Sequence, residues 1–181
     1  MTENINKPTL FEESAKDLYQ TGKFQQAADG FSQAAALYLE KGEPLLAAEM
    51  RNNQSVALLK AKKPSLALEA VMGTDLVFQE AGDLLKQGMA LANQATALQE
   101  MGEKEKAIDD FNRAAEIFKQ CDEKEMYLQT KQSVSALKMK TRNVIGALFS
   151  MQEGLDELEK PNLRQRLLRS LLKIPQNLIN K

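Results

Sequence analysis

Apolar positions along this chain recur at steps of three and four. Phe24, Ala27, Ala28, Phe31, Ala34, Ala35 and Tyr38 trace one stripe of a helix. The segment "AADGFSQAAALY" (27–38) returns eighty residues later as "AIDDFNRAAEIF" (107–118). Halving that interval lands on Ala67 and one further step lands on Ala147, so the period is 40 and four copies fit. Phe31, Val71, Phe111 and Met151 form a large apolar column, and Ala34, Thr74, Ala114 and Gly154 a small one. Upstream, Ala15, Ser55, Ala95 and Ser135 form a second small column, followed by Leu18, Leu58 and Leu98. Strand-like alternation is not found at any convincing length.

Breaks fall where helices should stop. "TGK", "AKKP" and "MGE" at 21–23, 61–64 and 101–103 separate a first helix from a second, and "KGEP" and "AGD" at 41–44 and 81–83 separate one copy from the next. Pro44, Pro64 and Pro161 suit a helix's first turn, where a missing N–H costs nothing. Thr9 with Glu12, and Asp122 with Glu125, have the spacing of capping boxes. Each copy is therefore expected to be a hairpin of two helices of about 15–18 residues. A lone hairpin cannot cover both its apolar faces, whereas stacked neighbours can.

The bulky–small–bulky first helix (Phe11, Ala15, Leu18; Leu91, Ala95, Leu98), the turn glycines 22 and 102, and the Ala–aromatic–Ala second helix (Ala27, Phe31, Ala34; Ala107, Phe111, Ala114) resemble a tetratricopeptide repeat. That repeat normally runs to about 34 residues. The longer period here is similar to the stretched repeats of the soluble NSF attachment proteins. The resemblance covers about Phe11 to Leu158 and weakens in the fourth copy, where Lys131, Lys138 and Arg142 replace apolar or Gly residues; Val134 and Leu137 are expected to carry the packing there. The resemblance implies an all-α, right-handed alpha-alpha superhelix of four hairpins (8–42, 43–82, 83–122 and 123–160) after a flexible start at 1–7.

Composition narrows the function. Of 181 residues, 43% are hydrophobic and 27% charged, as in ordinary globular chains. There is no histidine and a single cysteine, Cys121, so the commonest acid–base group and thiolate metal clusters are both missing. No phosphate loop, zinc spacing or nucleophile motif is present, and neither an enzyme nor a cofactor is expected. The adjacent acids Asp109 and Asp110 point to different sides of a helix and read as solvated surface. No apolar run approaches the eighteen or so residues of a membrane span, and the start lacks a signal-peptide pattern, so a cytoplasmic protein is expected. The net charge is −1, but the segment from Pro161 onward carries five basic residues and no acid, leaving the preceding body at −6. An acidic body argues against a nucleic-acid partner.

In tetratricopeptide proteins the first helices line a concave groove that receives partner segments. Carried over by column, this resemblance places Lys16, Tyr19, Asn52, Asn53, Val56, Met89, Asn93 and Thr96 in a peptide-binding groove. The family's carboxylate clamp is not expected, because Glu12, Lys16, Met89 and Asn93 stand where most of its cations and amides would be. Asn53 and Asn93 share a column, and an amide ladder could bond a peptide backbone without reading its side chains. The expected function is a non-catalytic adaptor or scaffold for a protein or peptide partner. The alternative is a self-assembly module that dimerises through the C-terminal helix or an end repeat.

The final segment, 161–181, is expected to be a capping or docking helix. Leu163, Leu167, Leu171 and Ile174 share a face, Arg164, Arg166, Arg169 and Lys173 take the rest, and Pro175 should kink or end it. The leading expectation is a cap over the last hairpin, and a membrane surface is set aside because that apolar face is needed to close the stack.

Overall fold

The computed structural model describes residues 7–172. Among these residues the chain is helical throughout, with no strand. The first hairpin is α1 (Pro8–Gln20) and α2 (Phe24–Glu40), and the second is α3 (Pro44–Lys60) with α4 (Pro64–Val71) and α5 (Thr74–Glu80). The third is α6 (Leu84–Glu100) and α7 (Lys104–Gln120), the fourth α8 (Lys124–Lys140) and α9 (Val144–Asp156), followed by α10 (Leu163–Leu171). Successive helices pack side by side, with α4 and α5 each packed on both α3 and α6, giving an α-solenoid.

The forty-residue columns are the core. Ala27, Ala67 and Ala107 are 0% exposed and Ala147 1%. Ala15, Ser55 and Ala95 are fully buried too, so two helix backbones approach closely wherever the small columns meet. Phe111 sits among Ala95, Leu98, Ala107, Val134 and Leu137, joining α6, α7 and α8. Val134 and Leu137 are buried, as the fourth copy requires once its cations displace the usual pattern.

The turns repeat at half the core period. Gly22, Gly42, Lys62, Gly82, Gly102, Asp122 and Arg142 all have positive φ, between 59° and 87°. At each, the residue after it donates its N–H to a carbonyl five residues back, as Lys23 does to Leu18 and Glu103 to Leu98 (both 2.9 Å), closing the helix end in a Schellman turn. Three of these seven positions lack glycine, although the left-handed conformation costs an L-residue about 1–2 kcal/mol. Lys62 is exposed. Lys62→Gly is expected to raise stability by about 0.5–1 kcal/mol, part of the relief being offset by glycine's extra freedom in the unfolded chain. Urea denaturation measures it, and a loss of stability would show that the lysine side chain supports the turn.

Four details differ from the sequence reading. Asp122 is the left-handed turn residue rather than a cap, because Glu123 is the N-cap of α8 and makes no side-chain cap bond. Thr9 lies inside α1, whose N-cap is Lys7, again with no side-chain bond. Pro161 precedes α10 rather than opening it: Asn162 is the N-cap, in a capping box with Gln165. The fourth detail is a break in the second helix of copy two. Met72 (φ −54°, ψ 128°) and Gly73 (φ 79°, ψ −5°) form the centre of a type II turn, which needs positive φ at its third residue. The carbonyls exposed by the break find partners. Arg51 Nη2 donates to Glu69 O (3.3 Å) and Met72 O (3.2 Å), and Thr74 Oγ1 donates to Val71 O (2.7 Å). Arg51 stands in the column of Phe11 and Leu91, so it exchanges core packing for capping the broken helix.

α10 does not form the expected cap within the described residues. None of its residues is buried, and Leu163, Leu167 and Leu171 are 81%, 62% and 74% exposed. Only Leu172, just beyond it, packs on the cluster of Leu128, Leu155 and Leu158. Ile174 and the kink at Pro175 fall outside the described residues.

Candidate functional site

The first helices α1, α3, α6 and α8 each keep one face open. Lys16 and Met89 are exposed on it, and Asn53, Val56, Asn93 and Thr96 are half-buried. Asn52 is the exception at 7% exposed. It is pulled inward by a hydrogen bond across the repeat boundary, Asn93 Nδ2 donating to Asn52 Oδ1 at 2.8 Å. Of the two amides expected to form the ladder, Asn93 is thus bonded to Asn52 on the neighbouring repeat, and Asn53 lines the groove. Thr96 returns its hydroxyl to Ala92 O at 2.8 Å within its own helix.

α3 and α6 are also tied near their starts by an ion pair between Lys86 and Glu49. That hydrogen bond holds the Lys86 ammonium above its ordinary value against the opposing effect of burial, with Asp83 assisting. Between α1 and α3 the wall opens into a cleft of about 230 Å³ lined by Lys16, Tyr19, Gln20, Phe31, Asn53 and Val56. Four of the eight expected groove residues meet there: Lys16, Tyr19, Asn53 and Val56. Asn52, Met89, Asn93 and Thr96 do not line it. Sequence reasoning missed Phe31 and Gln20 as lining residues. Phe31 was legible only as core, and it is: 4% exposed, it forms an apolar wall of the cleft.

The cleft is apolar inside and polar at its rim. Tyr19 is fixed by an edge-to-face contact with Phe24, with centroids 5.4 Å apart at 65°. Lys16 Nζ is held by Glu12 Oε1 at 2.6 Å, and Tyr38 Oη donates to Glu12 Oε2 at 2.8 Å. Partial burial works to raise the Glu12 carboxyl, but these two bonds prevail and hold it below 4.5. Its folded value is thus depressed, so the contact contributes stability that is complete above that pH and is lost as the pH falls through the folded value. Burial, then the Glu12 contact, pushes the Tyr38 phenol up to about 12, so it remains a donor at neutral pH. The cleft is smaller than the roughly 300–1,000 Å³ of small-molecule sites and fits a side chain better than a metabolite.

Other candidates resolve as structure. Asp109 is exposed as expected, but Asp110 is not solvated: it is 8% exposed, accepting from Gln94 Nε2 (2.9 Å) and Arg113 Nη1 (2.9 Å). Cys121 is half-buried, and burial, with Glu123 and Asp83 nearby, pushes its thiol up and keeps it protonated. Among the described residues no cluster of acids or cysteine could hold a metal ion, and no helix is long and apolar enough to cross a membrane.

A stack of paired helices with small-residue seams and an open face along its first helices defines a tetratricopeptide-like α-solenoid, a class of protein-interaction scaffold. A family profile described as soluble NSF attachment protein, SNAP, matches residues 6–172, and the chain belongs to that family. No curated protein matches it.

Proposed function

We propose that the chain is a non-catalytic adaptor that takes a partner helix or peptide along the concave face of α1, α3 and α6. The cleft between α1 and α3 carries this reading. An apolar partner side chain enters against Tyr19, Phe31 and Val56, and the Asn53 amide bonds the partner at the rim. The family's name denotes attachment to NSF, which supports a partner of the SNARE/NSF kind and a location on the cytoplasmic side of membranes. Further along the groove, Met89 offers an exposed, adaptable surface beside Asn93 and Thr96.

Val56→Arg, which fills the cleft, is expected to weaken binding of a purified NSF-type or SNARE partner by about thirtyfold or more, and Asn53→Ala by less. Titration calorimetry reads the affinity and circular dichroism checks the fold. Unchanged affinity in Val56→Arg would dispose of the cleft as the docking point.

A second reading, self-assembly through the end hairpin, draws on Ile145 (62% exposed), Leu148 and Phe149 on α9. Leu148 occupies the column of Ala28, Leu68 and Ile108, all at least half-buried inside the stack. Light scattering over a concentration series decides it: a monomer throughout excludes this reading.

A further inference from the structure

We propose that α10 is a docking helix for a membrane surface carrying anionic lipid. The helix is pinned to the body by its polar edge. Arg169 Nε donates to Asp156 Oδ1 at 2.7 Å and Arg169 Nη2 to Asp156 O at 3.3 Å. Gln165, Arg169 and Leu172 are the half-buried positions of α10 and the residue after it, and they lie on one side. At 100° per residue, Leu163, Leu167 and Leu171 occupy the opposite side, which agrees with their exposure of 62% or more. An amphipathic helix has docked with its leucines turned outward.

The helix does not depend on a partner for its start. Asn162 Oδ1 accepts from Gln165 N (3.0 Å) and Gln165 Oε1 accepts from Asn162 N (2.7 Å), a complete capping box. Arg164 and Arg166 are exposed and flank the leucine stripe on either side. No acid occurs from Pro161 to the end of the sequence. Leucines entering the acyl boundary while guanidinium groups reach up to phosphates is the arrangement of an interfacial helix. The apolar end of α9 adds to it, since Ile145 and Phe149 share a helical face with Asp156, the residue that anchors α10.

Charge separates this occupant from a second copy. Pairing α10 with its own counterpart would bring Arg164 and Arg166 of two chains together with no acid on either helix to compensate. The reason for setting a membrane aside in the sequence, that these leucines close the stack, does not hold for this orientation. The inference is independent of the α1–α3 cleft.

The test uses the full chain and vesicles of phosphatidylcholine alone or with phosphatidylserine added. Co-sedimentation is expected to be about tenfold greater with the anionic vesicles and to fall with added salt. Leu167→Glu with Leu171→Glu, at exposed positions that leave the fold intact, should abolish it, and Arg164→Glu with Arg166→Glu should remove the anionic preference. The chain has no tryptophan, so Leu167→Trp provides a single reporter whose emission should shift to the blue on anionic vesicles. Absence of vesicle binding, equal binding to neutral vesicles, or an unshifted emission from the Leu167→Trp variant would overturn the proposal. So would a dimer, or a complex with an NSF-type protein, that the leucine variants abolish while vesicle binding is nil.

Discussion

Phe111→Ala is expected to lower the stability of the chain by about 3–5 kcal/mol. The ring is 5% exposed and fills the space beside Ala95 and Ala107, and it touches α8 through Val134 and Leu137. The small residues cannot follow a receding ring, so the cavity persists and its cost adds to the lost transfer energy. For a chain of this size, the melting temperature should fall by about 2–4 °C for each kcal/mol. Because each hairpin contacts only its neighbours, the weakened junction should also separate the unfolding of the first three hairpins from that of the last. Hydrogen exchange would show α8 and α9 losing protection first. A loss below about 1 kcal/mol would mean that the ring is not the element that joins these three helices.

Glu153→Ala is expected to cost about 1–3 kcal/mol, although it removes a side chain that is one-third exposed. Its partner Lys131 has a side chain only 7% exposed, with Nζ 3.0 Å from Glu153 Oε2 and 5.5 Å from the Tyr127 ring centre. Removing the carboxylate leaves a buried ammonium with the ring alone to face it, and the partial exposure of Glu153 holds the cost to the lower part of the usual range for broken buried pairs. Lys131→Leu should instead be close to neutral, because Phe11 and Leu91 stand in the same column. Lys138 feels the same site. Burial, and then the charge of Lys131, lowers its ammonium below 10.5, while Glu153 works the other way. A folded value below the unfolded one means that protonation of Lys138 opposes folding, so its contribution to stability improves as the pH rises from the folded value to 10.5. Denaturant midpoints of the two variants at neutral pH check the assignment. Equal losses in both would show that Lys131 contributes packing rather than a paired charge.

The repeat was legible because buried columns constrain side-chain size, and size survives in the sequence as Ala and Phe at fixed intervals. Turn geometry was half legible. Gly22, Gly42, Gly82 and Gly102 announce themselves, but the left-handed residues Lys62, Asp122 and Arg142 do not, which hid the shorter period. Gly73 was the available signal for the broken helix, and it was masked by an apolar pattern that continues through Val71, Val77 and Phe78. The open face of the first helices follows from the columns. The cleft within it does not, since its apolar wall is a core residue, Phe31, and its extent depends on how far α1 stands from α3. The outward leucines of α10 could not be read from composition. An amphipathic pattern states that one face is apolar, and it is the contacts of Arg169 with Asp156 and of Leu172 with the last hairpin that set which face meets the body.

The twenty-residue recurrence of the turn makes the seven joints built on it interchangeable at the backbone level. A joint built the same way at seven places is indifferent to which two rods it couples, so hairpins can be gained, lost or exchanged by recombination without redesigning a linker. Only the seams between rods must then be refitted, and the cations at 51, 131 and 138 mark places where that refitting used charge instead of bulk.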